Sequence, residues 1–367
     1  MTTYKESGVN IGAGDDFSKY IYKAIQSTWV DSGWRKMITP LDDFSGLRYV
    51  DISNLDNVVM GMNFDGVGTK VNIAEALGDF STIGYDLIAM VCDDAIIRGA
   101  EPVLMGSIID LNHIPLKYHS QLKDLIKGYV EAAKVANVQI INGEVAELGS
   151  RVQGSGPLNL NWGAGVIWFA NKDRFQSGKN IEVGDTVVLF KEEGFRSNGI
   201  SLVRRIFEVE YGAFVTDREG YLEKMLTPSR IYTPAIVEMT GGVYGEVKVN
   251  ISGMANITGG GLPGKLGRMM KPSGLGIDLN DPFEPPDIML EFQEKGDVKS
   301  KEAYRTWNMG NGFAVVTKDP DKVIEIAEKH GIEAKIGGNI VDSKIIKIKD
   351  KGAFSKNKTL LFPLEGI

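Results

Sequence analysis

Apolar and polar positions alternate with two different periods along the first half of the chain. Residues 57–64 form a short β-rich run, and residues 81–98 carry apolar side chains at helical spacing. Residues 102–111 are typical of a second strand, 115–137 of an amphipathic helix that starts at a proline, and 138–142 of a third strand. This alternation predicts an α/β fold.

The second half shows the same mixture of periods. The pattern predicts helices over residues 199–211, 229–239, 262–269 and 320–330. It predicts strands over residues 159–171, 186–190, 312–317, 333–340 and 344–348. The predicted strands 159–171 and 186–190 flank the turn-rich VGD at residues 183–185, and we place the domain boundary between these strands, near 172–180. We therefore expect an N-terminal domain over residues 1–175 and a C-terminal α/β domain over residues 176–367.

Composition narrows the class of protein. A chain of 367 residues with 43% hydrophobic and 24% charged residues is typical of a soluble globular protein of about two domains. A formal net charge of −7 argues against a nucleic-acid partner. The longest uncharged stretch, 152–171, contains Pro157 and several glycines and asparagines, which argues against a membrane span.

The numbers of cysteines and histidines limit which disulfides and catalytic residues the chain can have. Cys92 is the single cysteine, so no internal disulfide can form, and the first residues lack the features of a signal peptide. We therefore expect a cytoplasmic protein. With only three histidines in the sequence, any catalysis is expected to depend on carboxylates, lysines and backbone dipoles. Cys92 itself is expected to be a small buried apolar residue.

The strongest local signal is FDGVGTK at residues 64–70, where the first strand ends. Gly66 and Gly68 allow a sharp turn that presents backbone N–H groups to an anion, while Thr69 adds a hydroxyl and Lys70 a positive charge. This pattern predicts a phosphate-binding turn, and it is not a nucleotide P-loop. The alternative is a glycine-rich turn with a surface lysine.

Two acidic segments offer oxygen ligands to Mg²⁺. Asp93 and Asp94 lie in a predicted helix that is otherwise mostly apolar, where a carboxylate needs a cation, a donor or water. Neighbours on a helix point about 100° apart, so one of the two is expected to face a site, unless that helix face simply reaches water. Glu144 and Glu147, in NGEVAE after the third strand, are a weaker signal of the same kind.

Two glycine-containing segments precede helices in the second half. In RSNG, at residues 196–199, Ser197 or Asn198 is a candidate helix N-cap, and an anion can dock at the same helix start. In NITGGG, at residues 256–261, three consecutive glycines cost backbone entropy, so close approach to a ligand explains them better than a simple turn.

In this order and at these intervals the motifs closely resemble the aminoimidazole ribonucleotide synthetase family, the phosphoribosylformylglycinamidine cyclo-ligases of purine biosynthesis. The resemblance runs through most of the chain. It is carried by TYKESGVNIGAG (3–14), DFSGLR (43–48), FDGVGTK (64–70), the stretch 83–102, NGEVAE (142–147), RSNGISLVRRI (196–206), LTPSRIY (226–232), NITGGG (256–261) and RTWNMGNGF (305–313).

The resemblance implies a two-domain α/β (α+β) synthetase fold whose N-terminal domains pair across a homodimer into a β-barrel, with the ATP site near that interface. It implies that ATP phosphorylates the amide oxygen of formylglycinamidine ribonucleotide, and that an internal nitrogen then closes the ring and releases phosphate. Phosphoryl transfer depends on positioning and charge neutralisation more than on a protein nucleophile, which agrees with the residues present.

The resemblance also implies roles for particular residues. The Mg²⁺ of MgATP would be held by Asp65, Asp94 and Glu144. The ATP phosphates would be contacted by Gly66, Gly68, Thr69 and Lys70, and catalysis would rest on Asp65, Lys70 and Asp94. The phosphorylated small-molecule substrate would be contacted by Ser197, Asn198 and Gly199 and by Thr258, Gly259, Gly260 and Gly261.

The chain departs from the family pattern mainly on the substrate side. Arg196 and Asn256 stand where the family has histidines, and Asn311 stands where it has valine; Val145 replaces a hydroxyl residue, and the dipeptide at 148–149 differs. These changes leave two alternatives to the synthetase: a related ATP-dependent kinase or synthetase with a changed substrate, or a noncatalytic nucleotide-binding homologue.

Arg196 is a candidate substrate ligand for a chemical reason. Arginine cannot act as a general base at neutral pH, so the guanidinium in RSNG favours binding of a substrate phosphate, or of the charge that develops on a transferred phosphoryl group, through paired hydrogen bonds. The alternative is a surface arginine paired with Glu192 or Glu193.

Overall fold

The computed structural model describes residues 11–38, 48–114, 119–211 and 220–366. Three features from the sequence therefore lie wholly or mainly outside the described residues. They are residues 3–10 of the opening motif, residues 43–47 of DFSGLR, and the start at Pro115 of the predicted long helix.

Helices and strands follow one another along the described residues. The helices are α1 Ile11–Ile25, α2 Val71–Leu77, α3 Ile83–Ile96, α4 His119–Ala136, α5 Ile200–Tyr211, α6 Tyr221–Met225, α7 Thr233–Thr240, α8 Gly261–Met270, α9 Asp287–Lys295, α10 Ser300–Thr306 and α11 Pro320–Lys329. The strands are β1 Met37–Ile38, β2 Tyr49–Val50, β3 Val58–Gly66, β4 Glu101–Leu111, β5 Gln139–Glu147, β6 Leu160–Asn171, β7 Thr186–Lys191, β8 Ile251–Asn256, β9 Gly276–Leu279, β10 Asn311–Thr317, β11 Ala334–Val341, β12 Ile345–Lys349 and β13 Thr359–Pro363.

The chain divides into two compact units. Unit 1 comprises Met1–Ala95, Glu101–Phe169 and Phe214–Ile231, and unit 2 comprises Ile96–Ala100, Ala170–Ala213 and Tyr232–Ile367. The main change of unit after Phe169 lies close to the expected boundary at 175/176, although two short segments cross to the other unit. Both units contain helices and strands, so the predicted mixed α/β class is confirmed.

Unit 1 is built on a four-stranded sheet in the order β3-β6-β4-β5. Strand β4 pairs parallel with β5 and antiparallel with β6, and helices α1 and α4 pack against β5. Helices α3 and α4 approach closely through two glycines: a Cβ at Gly84 would lie 2.5 Å from the Tyr129 nitrogen, and one at Gly128 would lie 1.9 Å from the Ser81 oxygen. The tight contact explains why most of α3 is fully buried.

Unit 2 is built on a seven-stranded sheet in the order β13-β12-β9-β11-β7-β10-β8. Its pairs are antiparallel except for β9 with β12. Helix α11 packs on β7, β11 and α7, and α8 packs on β8 and α10. The core between strands and helices includes Val188, Phe190, Ile236, Phe313 and Val323, all fully buried.

Most predicted elements are confirmed, with two corrections that concern candidate sites. The predicted third strand, 138–142, runs on to Glu147, so NGEVAE belongs to β5 and is not a loop after it. The predicted helix 229–239 begins only at Thr233, because Ser229 bonds to a buried carboxylate instead. Strands β1, β2, β8, β9 and β13 were not predicted, and neither were helices α1, α2, α6, α9 and α10. No described helix is long and apolar enough to cross a membrane.

Candidate functional site

FDGVGTK turns the chain from β3 into α2 through a short 3₁₀ turn at Gly68–Lys70. Gly68 has φ +64°, a left-handed conformation that favours glycine. A Cβ at Gly66 would lie 2.9 Å from the Trp162 oxygen, which also accepts a hydrogen bond from the Val67 N–H. The first glycine therefore lets β3 approach β6, and the second forms the turn.

Lys70 is fully buried, so the alternative of a surface lysine is wrong. Its Nζ donates to Asp86 Oδ1 at 2.9 Å and to the Thr227 carbonyl oxygen at 2.6 Å. Asp86 also accepts hydrogen bonds from the Ser229 N–H and hydroxyl. The ammonium thus ties the glycine turn to α3 and to the LTPSR segment, and its contact with ATP phosphates stays a prediction.

A cavity of about 580 Å³ lies beside Gly68 and Thr69. Polar side chains from α2, β4, the loop before β6 and β6 itself line it; they are Asn72, Asp110, Gln153 and Asn161. Asp110 and Asn161 face each other across β4 and β6. The sequence analysis missed these four residues, since nothing in their spacing along the chain indicates that they meet.

Glu75 holds one wall of that cavity in place. Its carboxylate is buried and accepts hydrogen bonds from the Ser155 N–H at 2.9 Å, the Leu160 N–H at 2.8 Å and Asn72 Nδ2 at 3.2 Å. Burial raises the pKa of Glu75, while the three donors act in the opposite direction. A Cβ at Gly154 would collide with this carboxylate, so the loop closes tightly around it.

Asp65 and Glu144 are exposed and line a second cavity of about 690 Å³ over the sheet of unit 1. Asp65 Oδ1 accepts a hydrogen bond from the Gly66 N–H at 2.7 Å. Asp94 is partly buried on α3 and is not among the residues that line either cavity. Asp65 and Glu144 lie on β3 and β5, the opposite edges of the sheet, so the structure does not bring these two predicted metal ligands together at one ion.

Glu144 and Glu147 cannot act as a pair at one metal. They lie three residues apart on β5, and side chains three apart on a strand point to opposite faces. Glu147 Oε1 instead accepts a hydrogen bond from the Ile114 N–H at 2.8 Å. Within the described residues no group of three or more His, Cys, Asp or Glu side chains is placed to hold a metal.

Cys92 and Asp93 are fully buried on α3. Burial, with a smaller contribution from Asp93, raises the pKa of the Cys92 thiol well above its usual value. A thiol in this state is not a nucleophile at neutral pH. The expectation that Cys92 is a buried apolar residue is confirmed, and Asp94 is the aspartate of the pair that reaches solvent.

RSNG and TGGG are brought together in unit 2. Asn198 Oδ1 lies 3.3 Å from where a Cβ of Gly259 would be. The predicted capping by Ser197 is wrong: no hydrogen-bond partner for its Oγ is found among the described residues, and the Val203 N–H bonds to the Gly199 oxygen. Gly199 therefore occupies the N-cap position of α5, with φ +72°.

Arg196 is fully buried, so the alternative of a surface arginine is wrong, although the pairing with Glu192 is confirmed. Arg196 Nη1 lies 3.4 Å from Glu192 Oε2, and the guanidinium lies 5.2 Å from the ring centre of Tyr232. The Tyr232 hydroxyl also donates to Glu192. This geometry makes Arg196 a support of the RSNG loop, and direct contact with substrate stays a prediction.

Asn256 and Asn311, which also depart from the family pattern, are buried as well, whereas Val145 is half-buried and Leu148 is exposed. Asn256 lies at the end of β8 opposite Phe313. Asn311 Oδ1 accepts from the Phe283 N–H at 3.0 Å, and its Nδ2 donates to the Met309 oxygen at 2.7 Å. The Asn311 amide thus holds backbone segments together, which is a structural role.

Comparison with known proteins places these motifs in one family. The family model "AIR synthase related protein, N-terminal domain" matches residues 50–165, and "AIR synthase related protein, C-terminal domain" matches residues 182–351. A protein of Methanocaldococcus jannaschii named phosphoribosylformylglycinamidine cyclo-ligase is 35% identical over 94% of this chain and 93% of its own length. A protein of Methanococcus maripaludis with the same name is 33% identical, over 98% and 97%.

A solved structure supports the fold. Thiamine-monophosphate kinase from Stenotrophomonas maltophilia superposes with a TM-score of 0.62 at 13% identity, covering 92% of this chain and 96% of that one. Similarity at that identity concerns the fold alone. The two domain matches and the near full-length similarity to curated relatives lead to one conclusion: the chain belongs to the AIR synthase related protein family.

Proposed function

We propose that the chain is an ATP-dependent phosphoribosylformylglycinamidine cyclo-ligase of de novo purine biosynthesis. It would convert formylglycinamidine ribonucleotide into aminoimidazole ribonucleotide and release ADP and phosphate. The observation that carries the proposal is the similarity to relatives of that name over almost the whole of both chains. A cytoplasmic location and the two-domain division at 175/176 remain predictions.

The cavity beside Gly68 and Thr69 supports ATP binding in unit 1. The glycine turn offers backbone N–H groups, and Asn72, Gln153 and Asn161 add polar side chains to the same space. Phosphate oxygens accept hydrogen bonds from donors of both kinds. Lys70 would act by holding this turn, and its own contact with phosphate belongs to the proposal.

Asp65 and Glu144 would supply the protein oxygens for Mg²⁺. In ATP-dependent enzymes the ion is commonly held by one or two carboxylates, with phosphate and water oxygens completing its shell. Each of the two exposed carboxylates meets that requirement alone, because β6 and β4 separate β3 from β5 by about 14 Å and one ion cannot be bound by both. Bound Mg²⁺ would neutralise phosphate charge. The contribution of Asp94 rests on the motif resemblance.

The reaction requires the chain to position two partners. The amide oxygen of the substrate attacks the γ-phosphorus of ATP and ADP leaves; an internal nitrogen then attacks the activated carbon, and the C–O bond breaks as phosphate departs. The loops RSNG and TGGG, which meet at Asn198 and Gly259, are the proposed substrate contacts. Such a reaction is accelerated by orientation and by fixed donors aimed at developing charge.

An apolar face on the sheet of unit 1 supports a homodimer. Met60, Met62, Phe64 and Ile108 are 64%, 53%, 73% and 56% exposed, although they lie on strands. Glycines at 163 and 165 flank these side chains and leave the face concave. Contiguous exposed apolar surface commonly marks an interface. We propose that a second copy covers it and that the paired sheets form a barrel.

The test of this function supplies formylglycinamidine ribonucleotide, ATP and Mg²⁺ and measures aminoimidazole ribonucleotide and ADP together. Equal amounts of both products are expected. ADP without the imidazole product would favour the kinase or synthetase with a changed substrate, and the absence of turnover would favour a noncatalytic homologue.

The metal ligands are tested in the same assay. Asp65→Asn and Asp94→Asn should each lower kcat at least about 100-fold, because a neutral amide cannot supply an anionic oxygen. Asp124→Asn, at an exposed position on α4, is the matched control and should leave kcat unchanged. Near-normal turnover of either test variant at saturating Mg²⁺ would remove that residue from the metal site.

A further inference from the structure

A cavity of about 350 Å³ in unit 2 is strongly positive. Four of its lining side chains are cationic, and none of its described lining residues is acidic. The cations are Lys265, Arg268, Lys271 and Arg305. The motif resemblance assigned none of them, and they lie next to the glycines of TGGG at one edge of the cavity.

The four cations converge from two helices. Lys265 and Arg268 are three residues apart and share a face of α8, and Lys271 follows at its end. Arg305 comes from α10, which packs against α8. Its guanidinium lies 5.6 Å from the ring centre of Phe362.

The described lining of the cavity offers no carboxylate to these four cations. Like charges three or four residues apart on a helix repel each other, and the crossing of α10 brings a further cation to the same place. The mutual repulsion is relieved when an anion of high charge density is bound between them. A phosphate group meets that requirement, and arginine binds it through paired hydrogen bonds.

The glycine loop adds backbone to the same cavity. Gly260 has φ +91° and Gly261 has φ +60°, and a Cβ at Gly261 would lie 2.0 Å from the Tyr304 oxygen. Glycine is thus required for α8 and α10 to come this close. The first turn of α8 also carries the positive end of the helix dipole, which adds to the field of the four side chains.

Arg196 is not placed to bind a phosphate in this cavity. Its guanidinium is fully buried against Glu192 and Tyr232, whereas Arg268 and Arg305 are exposed to solvent. We propose that the cavity binds the phosphate monoester of the substrate, with Arg268 and Arg305 as its main ligands. The identity of that substrate rests on the proposed function; the binding of a sugar phosphate does not.

A binding experiment tests the site without catalysis. Ribose 5-phosphate and inorganic phosphate are titrated calorimetrically into the full chain and into Arg268→Gln and Arg305→Gln. Each variant should bind ribose 5-phosphate at least about tenfold more weakly, because a charge-assisted pair is lost. Lys301→Gln is the matched control: it removes one positive charge from an exposed position of α10 outside the cavity and should change the dissociation constant less than twofold. Equal affinities in all four proteins would overturn the site.

A kinetic experiment identifies the source of the phosphate. The KM for formylglycinamidine ribonucleotide should rise at least about tenfold in Arg268→Gln and Arg305→Gln, with the KM for ATP within twofold of the wild-type value. A rise in the KM for ATP alone would overturn the assignment to the substrate. If the wild type makes no imidazole product but sugar-phosphate binding still depends on the two arginines, the proposed function fails and the phosphate site stands.

Discussion

Replacing Lys70 by methionine should destabilise unit 1 by about 3–5 kcal/mol. Both side chains of the Lys70–Asp86 pair are fully buried, with Nζ 2.9 Å from Oδ1. Removing the ammonium leaves the carboxylate with Ser229 as its recorded donor partner, and an uncompensated buried charge costs about that much. The Thr227 carbonyl oxygen loses a donor as well.

Tryptophan fluorescence during urea unfolding measures the loss of stability of unit 1. Four of the five tryptophans belong to unit 1; they are Trp29, Trp34, Trp162 and Trp168. The double variant Lys70→Met/Asp86→Leu should recover much of the lost stability, because no charge is then left unpaired. Lys19→Met, which removes an exposed lysine of unit 1, is the control and should change nothing measurable. A loss below about 1 kcal/mol for Lys70→Met, or no recovery in the double variant, would refute the reasoning.

Three further outcomes are expected. Phe64→Glu places a charge on the exposed apolar face, so light scattering should give a mass near 40.1 kDa, against twice that value for the wild type; equal masses would contradict the dimer. Hydrogen bonds lower the pKa of Glu238 to about 2, and the one from Lys248 contributes most. The ionised carboxylate therefore stabilises the fold above pH 4.5, and this contribution is lost as the pH falls toward 2. Glu238→Gln should therefore be less stable by about 1 kcal/mol at pH 7, with a difference that shrinks over that range in thermal melts. Gly261→Ala should lower the unfolding temperature, because the added Cβ meets the Tyr304 oxygen at 2.0 Å; an unchanged melting temperature would count against the tight crossing of α8 and α10.

The spacing of apolar residues predicted those helices and strands whose buried side chains follow one regular period. Helix α8 and strand β4 lie within one residue of their predicted bounds, since their apolar spacing matches one period throughout. The pattern ended β5 too early because NGEVAE is polar and mostly exposed or half-buried. Its pairing with β4 continues to Glu147 regardless, and that information lies in a neighbouring strand. Strand β8 was missed because its glycine and asparagine are poor strand formers, although it pairs with the fully buried β10.

The candidate site shows the same limit more sharply. Sequence reasoning found the glycine turns, because a turn is local and its residues are adjacent. It could not decide whether Lys70 is solvated, since the deciding partners are Asp86, sixteen residues away, and Thr227, 157 residues away. The polar residues Asp110, Gln153 and Asn161, which line the cavity beside Gly68, are also far from that glycine along the chain. Arg268 and Arg305 are likewise far apart in the sequence and line one cavity only in the folded chain.

The cations near the glycine loops divide into two kinds with different measurable consequences. Lys70 and Arg196 are buried in ion pairs, so they hold loops in shape, and their loss should appear first in unfolding free energy. Arg268 and Arg305 are exposed at a cavity whose described lining contains no acidic residue, so their loss should leave the melting temperature nearly unchanged and appear in substrate affinity. If exposed cations bind the phosphates and buried cations shape the turns, variants of Lys70 and Arg196 should lower the unfolding free energy. Variants of Arg268 and Arg305 should instead raise the KM for the substrate. A variant of Arg268 with a lowered melting temperature and wild-type substrate affinity would contradict this assignment.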